Sequence, residues 1–226
     1  MEQVIIQETA VFEKIPVKIC PDSDKASKAV ANEMAALIKL KQKNGEHCVL
    51  GLATGSTPKS VYKELIRLHR EEGLSFQDVI SFNLDEYYPM QPDSLQSYVR
   101  FMQEHLFNHV DMKPENIFVP DGTLSSDKIK SYCEEYESKI DSYGGLDFQL
   151  LGIGGNGHIG FNEPGSISSS KTRLMMLDQS TRVAATADFG GQLSKVPRKA
   201  ITLGIEKILQ AKRIVLLAWG EKKAQI

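Results

Sequence analysis

The sequence has 226 residues, with 27 Lys or Arg against 29 Asp or Glu, so its formal net charge of −2 leaves no basic surplus to bind nucleic-acid phosphates. Hydrophobic residues make up 41% and charged residues 25%, which is typical of a globular domain and too apolar for intrinsic disorder. No apolar run approaches the roughly 20 residues of a membrane-spanning helix, so neither nucleic acid nor a membrane is an expected partner.

Short β-branched segments alternate with helix-length amphipathic segments along the chain. This alternation predicts an α/β fold with a mostly parallel, Rossmann-like sheet and helices on both faces. The predicted strands are 17–20, 47–53, 79–84, 116–119, 148–153 and 213–219. The predicted helices are 24–43, 58–72, 94–108 and 127–142. Without repeats or long linkers, residues 1–226 are interpreted as one domain, truncated at its C-terminus because the last helix would be barely one turn long.

The second predicted strand is followed by the segment Thr54-Gly55-Ser56-Thr57-Pro58. Thr57 can cap a helix and Pro58 can occupy its first turn, which leaves backbone N–H groups free to bind an anion. Because the GK[ST] of a nucleotide P-loop is absent, the segment predicts a site for a single phosphate. Thr54, Gly55, Ser56 and Thr57 are therefore candidate substrate-binding residues, although an ordinary capped helix start is an equally good interpretation.

Two carboxylates follow the third predicted strand, in the segment Asp85-Glu86-Tyr87-Tyr88-Pro89. A carboxylate at the mouth of the sheet can remove a proton from carbon as a general base. Because adjacent residues usually point apart, one carboxylate is expected to reach the ligand. Asp85 is the candidate catalytic base and Glu86 a candidate substrate-binding residue. The alternative is that both are solvated acids of a loop.

A glycine-rich segment, residues 152–165, follows the fifth predicted strand and contains the pattern GxGxxG. A dinucleotide site needs this pattern to begin a helix, which the glycines and proline at positions 160, 164 and 165 oppose, so no dinucleotide is expected. Glycines instead let a ligand approach the backbone, and Gly155 and Gly157 are candidate substrate-binding residues. His158 is a candidate catalytic residue that Glu163 can orient, although a lone histidine is more often structural.

The remaining polar residues give weaker signals. Lys223 follows the last predicted strand, where an ammonium can face a phosphate, and a solvated lysine is the alternative. His105 and His109 are four residues apart on a predicted helix, but no third zinc ligand lies nearby in sequence, so no metal and no other cofactor is expected. Three cysteines without a CxxC pair, together with an N-terminus that does not read as a signal peptide, predict a cytoplasmic protein.

These segments closely resemble the glucosamine-6-phosphate deaminase family, also called glucosamine-6-phosphate isomerases. The resemblance covers nearly all of the chain from Lys18 onward. Its blocks, in order, are LGLATGSTPKSVYKELI, SFNLDEYYPM, SYVRFMQEHLFNHVD, LGIGGNGHIGFNEPGS, VPRKAITLGIEKIL and WGEKKA. The related 6-phosphogluconolactonases are less similar, because they typically have Arg at the position of Tyr87 and lack the GFNEP segment.

The resemblance implies an enzyme, a hydrolase or isomerase of amino sugar metabolism, that isomerises and deaminates glucosamine 6-phosphate to fructose 6-phosphate and ammonia by acid–base catalysis without a cofactor. It implies that Asp85 moves a proton between C2 and C1, that His158 opens the sugar ring, and that Glu163 is the partner of His158. It further implies that residues 55–57 and Lys223 bind the 6-phosphate.

The chain departs from this family at two site positions. Asn156 stands where many members have Asp, and we keep it among the candidate catalytic residues. Ala187 aligns with an arginine that helps to bind the phosphate, which predicts weaker substrate binding. Two other functions stay open: a galactosamine-6-phosphate deaminase-isomerase, and a sugar-phosphate sensor or binding module with weakened catalysis. Homo-oligomerisation stays open as well.

Overall fold

The structure, a computed structural model, describes residues 15–226. Its helices are α1 (Ser23–Lys43), α2 (Lys59–Glu72), α3 (Tyr98–His105), α4 (Ile129–Ser142), α5 (Gln179–Ala185) and α6 (Ile205–Leu209). Its strands are β1 (Cys48–Leu52), β2 (Val79–Asn83), β3 (Asp85–Tyr88), β4 (Ile117–Phe118), β5 (Phe148–Leu151), β6 (Arg173–Met176), β7 (Lys199–Thr202) and β8 (Ile214–Leu216). Within this range, no helix is both long enough and apolar enough to span a bilayer.

Five strands form a central parallel sheet in the order β4-β2-β1-β5-β8. β1 lies at its centre and pairs in parallel with β2 and β5. All five residues of β1 are buried, because helices cover both faces of a parallel sheet. Helices α1, α2 and α3 pack on one face, and α4 and α6 pack on the other. This arrangement confirms the predicted α/β fold with a mostly parallel, Rossmann-like sheet.

Helix α1 shows how local sequence and packing agree. The Asp22 side chain caps the helix by accepting a hydrogen bond of 2.7 Å from the backbone N–H of Lys25. Val30, Met34 and Ile38 recur every four residues and are buried against the sheet. Burying one such side chain contributes about 1.5–3 kcal/mol, so this apolar face holds the helix to the sheet.

The start of α2 differs from the prediction. The sequence predicts a helix from Pro58 with Thr57 as its cap, but the helix begins at Lys59, Pro58 occupies the N-cap position, and no side-chain hydrogen bond caps it. Thr57 lies in the wall of a cavity instead. The start of the loop before α2 is fixed by Tyr62, whose hydroxyl donates a hydrogen bond of 2.5 Å to the carbonyl oxygen of Ala53.

A second, smaller sheet is absent from the prediction. Its three strands are antiparallel, in the order β3-β7-β6, and the register places Thr202 of β7 between Asp85 and Arg173. The sequence assigned residues 85–89 to no element, with solvated loop acids as one interpretation of Asp85 and Glu86; that interpretation is wrong, because Asp85–Tyr88 pair with β7 and both carboxylates are buried. Each strand has four residues, and the three strands come from distant parts of the chain, so no local sequence pattern predicts this sheet.

Two further predicted elements need correction. Residues 17–20 do not form a strand and have no partner strand in the described structure; the side chains of Val17 and Ile19 are exposed. The helix predicted at 94–108 begins only at Tyr98, because Ser97 is its N-cap and accepts a hydrogen bond from the backbone N–H of Arg100 at 3.3 Å. The other five predicted strands and three predicted helices are present, with ends that coincide or shift by at most three residues.

Candidate active site

A cavity of about 310 Å³ opens at the carboxyl ends of β1, β5 and β8, next to β3. Ligands of open α/β sheets bind at this edge, because the loops that follow neighbouring parallel strands meet there. The cavity wall combines six parts of the chain, namely stretches within residues 53–57, 84–87, 152–161 and 181–188, and the side chains of Tyr98 and Lys223. Most of the residues predicted from sequence therefore lie around one cavity.

Residues 54–57, here called the phosphate loop, form one side of the cavity. Gly55 and Ser56 are exposed, and α2 begins shortly afterwards at Lys59. A helix N-terminus carries a partial positive charge that attracts anions. Lys223 adds a full positive charge at the same cavity, where its ammonium donates a hydrogen bond of 2.5 Å to the carbonyl oxygen of Ile153. This side of the cavity can bind a phosphate group.

Of the two adjacent carboxylates at the start of β3, Asp85 is the one that lines the cavity. It is the first residue of β3 and is only 5% exposed. Burial, and secondarily the negative charge of the neighbouring Glu86, raises the pKa of Asp85 to about 8. A carboxylate with a raised pKa is a stronger base than a solvated one, so Asp85 is suited to remove a proton from carbon once it is ionised.

Glu86 points to the opposite face of β3, as expected for adjacent residues of a strand. It does not line the cavity, although the sequence predicted it as a substrate-binding residue. Its carboxylate meets the N-terminus of α3 instead. The hydrogen bonds that it accepts come from Tyr87 N at 2.9 Å, Tyr98 N at 2.8 Å, Val99 N at 3.2 Å and Ser97 Oγ at 3.2 Å.

The orientation of the His158 ring is fixed by hydrogen bonds to Asn156 and, through Asn156, to Glu163. Its Nδ1 lies 2.7 Å from the amide oxygen of Asn156, and the amide nitrogen of Asn156 donates a hydrogen bond of 2.7 Å to Glu163. Because the amide oxygen can only accept, this network assigns the proton to Nδ1 and leaves Nε2 unprotonated. Burial lowers the pKa of His158, against the opposing charge of Glu163, and this favours the neutral ring that can accept a proton at Nε2.

The loop that carries His158 folds back onto the small sheet. The backbone N–H of Phe161 donates to Thr202 Oγ1 at 3.0 Å, which ties the loop to β7 next to Asp85. A Cβ atom at position 154 would lie 2.2 Å from the histidine ring, so glycine is required there. Gly160, with φ of +60°, passes so close to Asp85 that a Cβ atom would lie 3.2 Å from its carboxylate. Residues 152–165 form turns and no helix, as the glycines and the proline of this segment predicted.

The charged residues around the cavity show what can bind a phosphate when Ala187 stands at the position where the family resemblance predicts an arginine. Ala187 is exposed and does not line the cavity, whereas its neighbour Asp188 does. Among the described residues of the wall, Lys223 is the one lysine or arginine, and Asp85 and Asp188 are the two carboxylates. The wall therefore offers little positive charge to a phosphate beyond the N-terminus of α2 and Lys223.

The structure brings eight of the twelve predicted site residues to the cavity wall: Thr54, Gly55, Ser56, Thr57, Asp85, Gly155, His158 and Lys223. Asn156 and Glu163 lie behind His158, and Gly157 and Glu86 lie outside the wall. Sequence reasoning missed Tyr98, Phe161, Thr181 and Asp188. Phe161 lies within the glycine-rich segment that the sequence does mark, but no pattern marks Tyr98, Thr181 or Asp188, because their elements reach the cavity only through tertiary packing.

A larger cavity of about 710 Å³ lies between α4 and β6. None of the twelve predicted site residues lines it. Within residues 15–226, no group of three or more His, Cys, Asp or Glu side chains is placed to bind a metal ion. The smaller cavity at the sheet edge is thus the site at which the predicted chemical groups meet.

Comparison with known proteins agrees with this geometry. The sequence profile of the family described as glucosamine-6-phosphate isomerases/6-phosphogluconolactonase matches residues 21–226. The chain belongs to this family. Members share the open α/β sheet that positions the candidate site, so the resemblance noted in the sequence is confirmed at the level of family and fold.

Three relatives show how far the similarity extends. A putative glucosamine-6-phosphate deaminase-like protein of Bacteroides thetaiotaomicron is 49% identical over 94% of this chain, which spans 32% of that protein. A glucosamine-6-phosphate deaminase of Clostridioides difficile is 47% identical over 92% of this chain and 81% of its own length. The solved structure of a monomeric glucosamine-6-phosphate deaminase superposes with a TM-score of 0.85 at 44% identity, covering 91% of this chain and 83% of that one.

Proposed function

We propose that this protein is a glucosamine-6-phosphate deaminase, which converts glucosamine 6-phosphate and water into fructose 6-phosphate and ammonia. The observation that carries the proposal is the meeting of Asp85, His158 and the phosphate loop around one cavity. Relatives that bear this name are 45–50% identical to the chain over the aligned residues. The cavity, at about 310 Å³, is of the size that holds a small phosphorylated sugar.

In the proposed mechanism, binding precedes chemistry. Thr54, Gly55, Ser56 and Thr57 bind the 6-phosphate together with Lys223, whose ammonium lies at the same cavity. Gly155 contributes backbone contact with the sugar. Fixing the phosphate at one end of the cavity places C1 and C2 of the sugar near the carboxylate and the imidazole, and such orientation contributes a large share of the rate.

Ring opening is assigned to His158. Its unprotonated Nε2 takes the proton of the C1 hydroxyl, the bond between C1 and the ring oxygen breaks, and the imidazolium gives that proton to the ring oxygen, which leaves the open-chain aldehyde and a neutral His158. Asn156 and Glu163 hold the ring nitrogen Nδ1 in its protonated form and stabilise the imidazolium formed during the transfer. Their role is therefore to orient His158.

Isomerisation is assigned to Asp85. The aldehyde acidifies the proton on C2, and the carboxylate removes it while the aldehyde oxygen takes a proton from the substrate's ammonium group, which gives an enol-amine. Asp85 then returns its proton to C1. The resulting C2 iminium is attacked by water, and ammonia leaves to give fructose 6-phosphate. No electrons are exchanged with a cofactor, and a positioned general base typically contributes about 10²–10⁴-fold to such a step.

The test is an assay of ammonia and fructose 6-phosphate with glucosamine 6-phosphate as substrate. We expect the two products in equal amounts and the same rate with or without EDTA, because the proton transfers need no Lewis acid. Parallel reactions with galactosamine 6-phosphate separate the epimeric substrates. Tight binding of the sugar phosphate without ammonia would instead identify a sensor or binding module and overturn the proposal.

We also propose a cytoplasmic location. The support is chemical: Cys20, Cys48 and Cys133 are all free thiols in the described structure, as expected in a reducing compartment. Fractionation of source cells, with the protein detected by antibody, tests this location.

A further inference from the structure

We propose that Glu86 is a positioning residue that holds Tyr98 in the wall of the active-site cavity. The structural role is independent of the proposed function, and only its effect on turnover rests on that function. The carboxylate of Glu86 joins two elements that approach the cavity from different directions. One is β3, whose first residue is Asp85, and the other is the N-terminus of α3, whose first residue is Tyr98.

The contacts of Glu86 are concentrated at the first turn of α3. One carboxylate oxygen, Oε2, accepts hydrogen bonds from the backbone N–H groups of Tyr98 and Val99 and from the hydroxyl of Ser97. The other oxygen accepts from the backbone N–H of Tyr87 in its own strand. Glu86 is only 1% exposed, so these donors replace the water that would otherwise solvate its charge.

The residue held in this way, Tyr98, faces the substrate cavity. Its ring stacks on that of Phe161, with ring centroids 6.0 Å apart and an interplanar angle of 4°. It also contacts the ring of Tyr87 at a centroid distance of 5.2 Å. Phe161 and Tyr87 line the same cavity, so a shift of α3 would move the aromatic wall beside the sugar.

The arrangement couples this wall to the catalytic base. Asp85 and Glu86 are consecutive residues of one strand, so the carboxylate that faces the substrate and the carboxylate that holds α3 share a backbone. Burial raises the pKa of Glu86 to about 7, and the backbone and hydroxyl donors oppose this rise. The titratable groups packed around Glu86 are Asp85, Tyr87 and Tyr98, and burial keeps both tyrosines neutral by raising their pKa.

The first experiment replaces Glu86 by Gln, which keeps the shape of the side chain, removes its charge and turns an NH2 group toward donors. We expect kcat/KM to fall tenfold or more, because a displacement of about 1 Å in a positioning group can cost on the order of 10²-fold. Ser97→Ala removes one donor and should act in the same direction with a smaller loss. If Glu86→Gln does not fold, Ser97→Ala takes its place in every measurement.

The matched control is Asp22→Ala, which removes the carboxylate cap of α1 far from the cavity wall. It should leave kcat/KM within twofold. A double-mutant cycle then separates positioning from general stability. If Glu86 acts through Tyr98, Glu86→Gln should cost less than twofold in a Tyr98→Ala background. Equal costs in the two backgrounds would overturn the proposal.

The second experiment needs no turnover. The chain is labelled with 3-fluorotyrosine, and the ¹⁹F resonance of Tyr98 among the seven tyrosines is identified by its loss in Tyr98→Phe. We expect Glu86→Gln to shift or broaden this resonance and Asp22→Ala to leave it unchanged. An unmoved resonance refutes the positioning role. If the wild-type chain releases no ammonia, the proposed function fails while this spectrum still decides the role of Glu86.

Discussion

The two sheets contribute different things to the candidate site. The parallel sheet contributes two loops to the site, the phosphate loop and the glycine-rich segment, and both are partly exposed. The antiparallel sheet contributes Asp85 directly from a strand, 5% exposed and paired with Thr202. The candidate binding groups thus lie on loops of the large sheet, whereas the candidate general base lies on a strand of the small one.

This difference has a physical reason. A phosphate is solvated and mobile before it binds, so exposed N–H groups at a loop and helix start suit it. A base that must take a proton from carbon gains from burial, because the loss of water raises its pKa. A strand fixes such a buried group more firmly than a loop does. The comparison predicts losses of kcat for changes in the small sheet and changes of KM for the phosphate side.

The largest expected effect is that of Asp85→Asn. Removing the general base should lower kcat by about 10²–10⁴-fold with little change in KM. Steady-state release of ammonia measures both constants. Asp127→Asn, an exposed carboxylate outside the cavity, is the matched control and should be silent. A variant that keeps a tenth of the wild-type kcat would show that another group takes the C2 proton.

His158→Gln should lower kcat for the cyclic substrate by about 10²-fold or more. An open-chain analogue bypasses ring opening, so it should restore part of the rate to His158→Gln and none to Asp85→Asn. Deuterium exchange at C1 follows the proton that Asp85 moves. His47→Gln, an exposed histidine elsewhere, serves as control. Equal rescue of the two site variants would contradict the separate roles of the strand and the loop.

Ala187→Arg tests the phosphate side of the comparison. A charge-assisted contact with a phosphate is worth about 1.5–3 kcal/mol, so the new arginine should lower KM by roughly one to two decades and leave kcat within a few-fold. Ala187→Gln adds length without charge and should not reproduce the gain. An unchanged KM would mean that Lys223 and the phosphate loop already neutralise the phosphate, or that Asp188 cancels the added charge.

The smallest effect concerns stability. The pKa of Asp85 is raised in the folded state, so between its ordinary value near 4 and its folded value near 8 the folded protein binds a proton that the unfolded chain has lost. Asp85 therefore lowers stability progressively as the pH rises through this window. Asp85→Asn should raise the thermal midpoint by a few degrees at pH 8 and not at pH 4, since about 1 kcal/mol shifts a chain of 150–250 residues by 2–4 °C. Calorimetry at both pH values measures it, and an equal gain at both would exclude the ionisation of Asp85 as its cause.

Prediction from the sequence succeeded where local pattern and burial agree. The run ending in Ala53 is apolar throughout because β1 is covered on both faces, and Met34 and Ile38 lie one helical turn apart because α1 is covered on one. The phosphate loop and His158 were found because each follows such a strand. The small sheet was missed because its four-residue strands mix polar and apolar residues and pair over long separations.

The sequence by itself determined the α/β class, the succession of the main strands and helices along the chain, the family, and the candidate residues for acid–base chemistry. Only the tertiary structure decided which face of β3 each carboxylate occupies, that Glu86 binds α3 and not the ligand, and that Tyr98 and Asp188 reach the cavity. Hydrophobic periodicity is a local property of the chain and survives in the sequence. Long-range pairing and the direction of a side chain in an irregular or short element depend on partners far along the chain, and no local pattern records them.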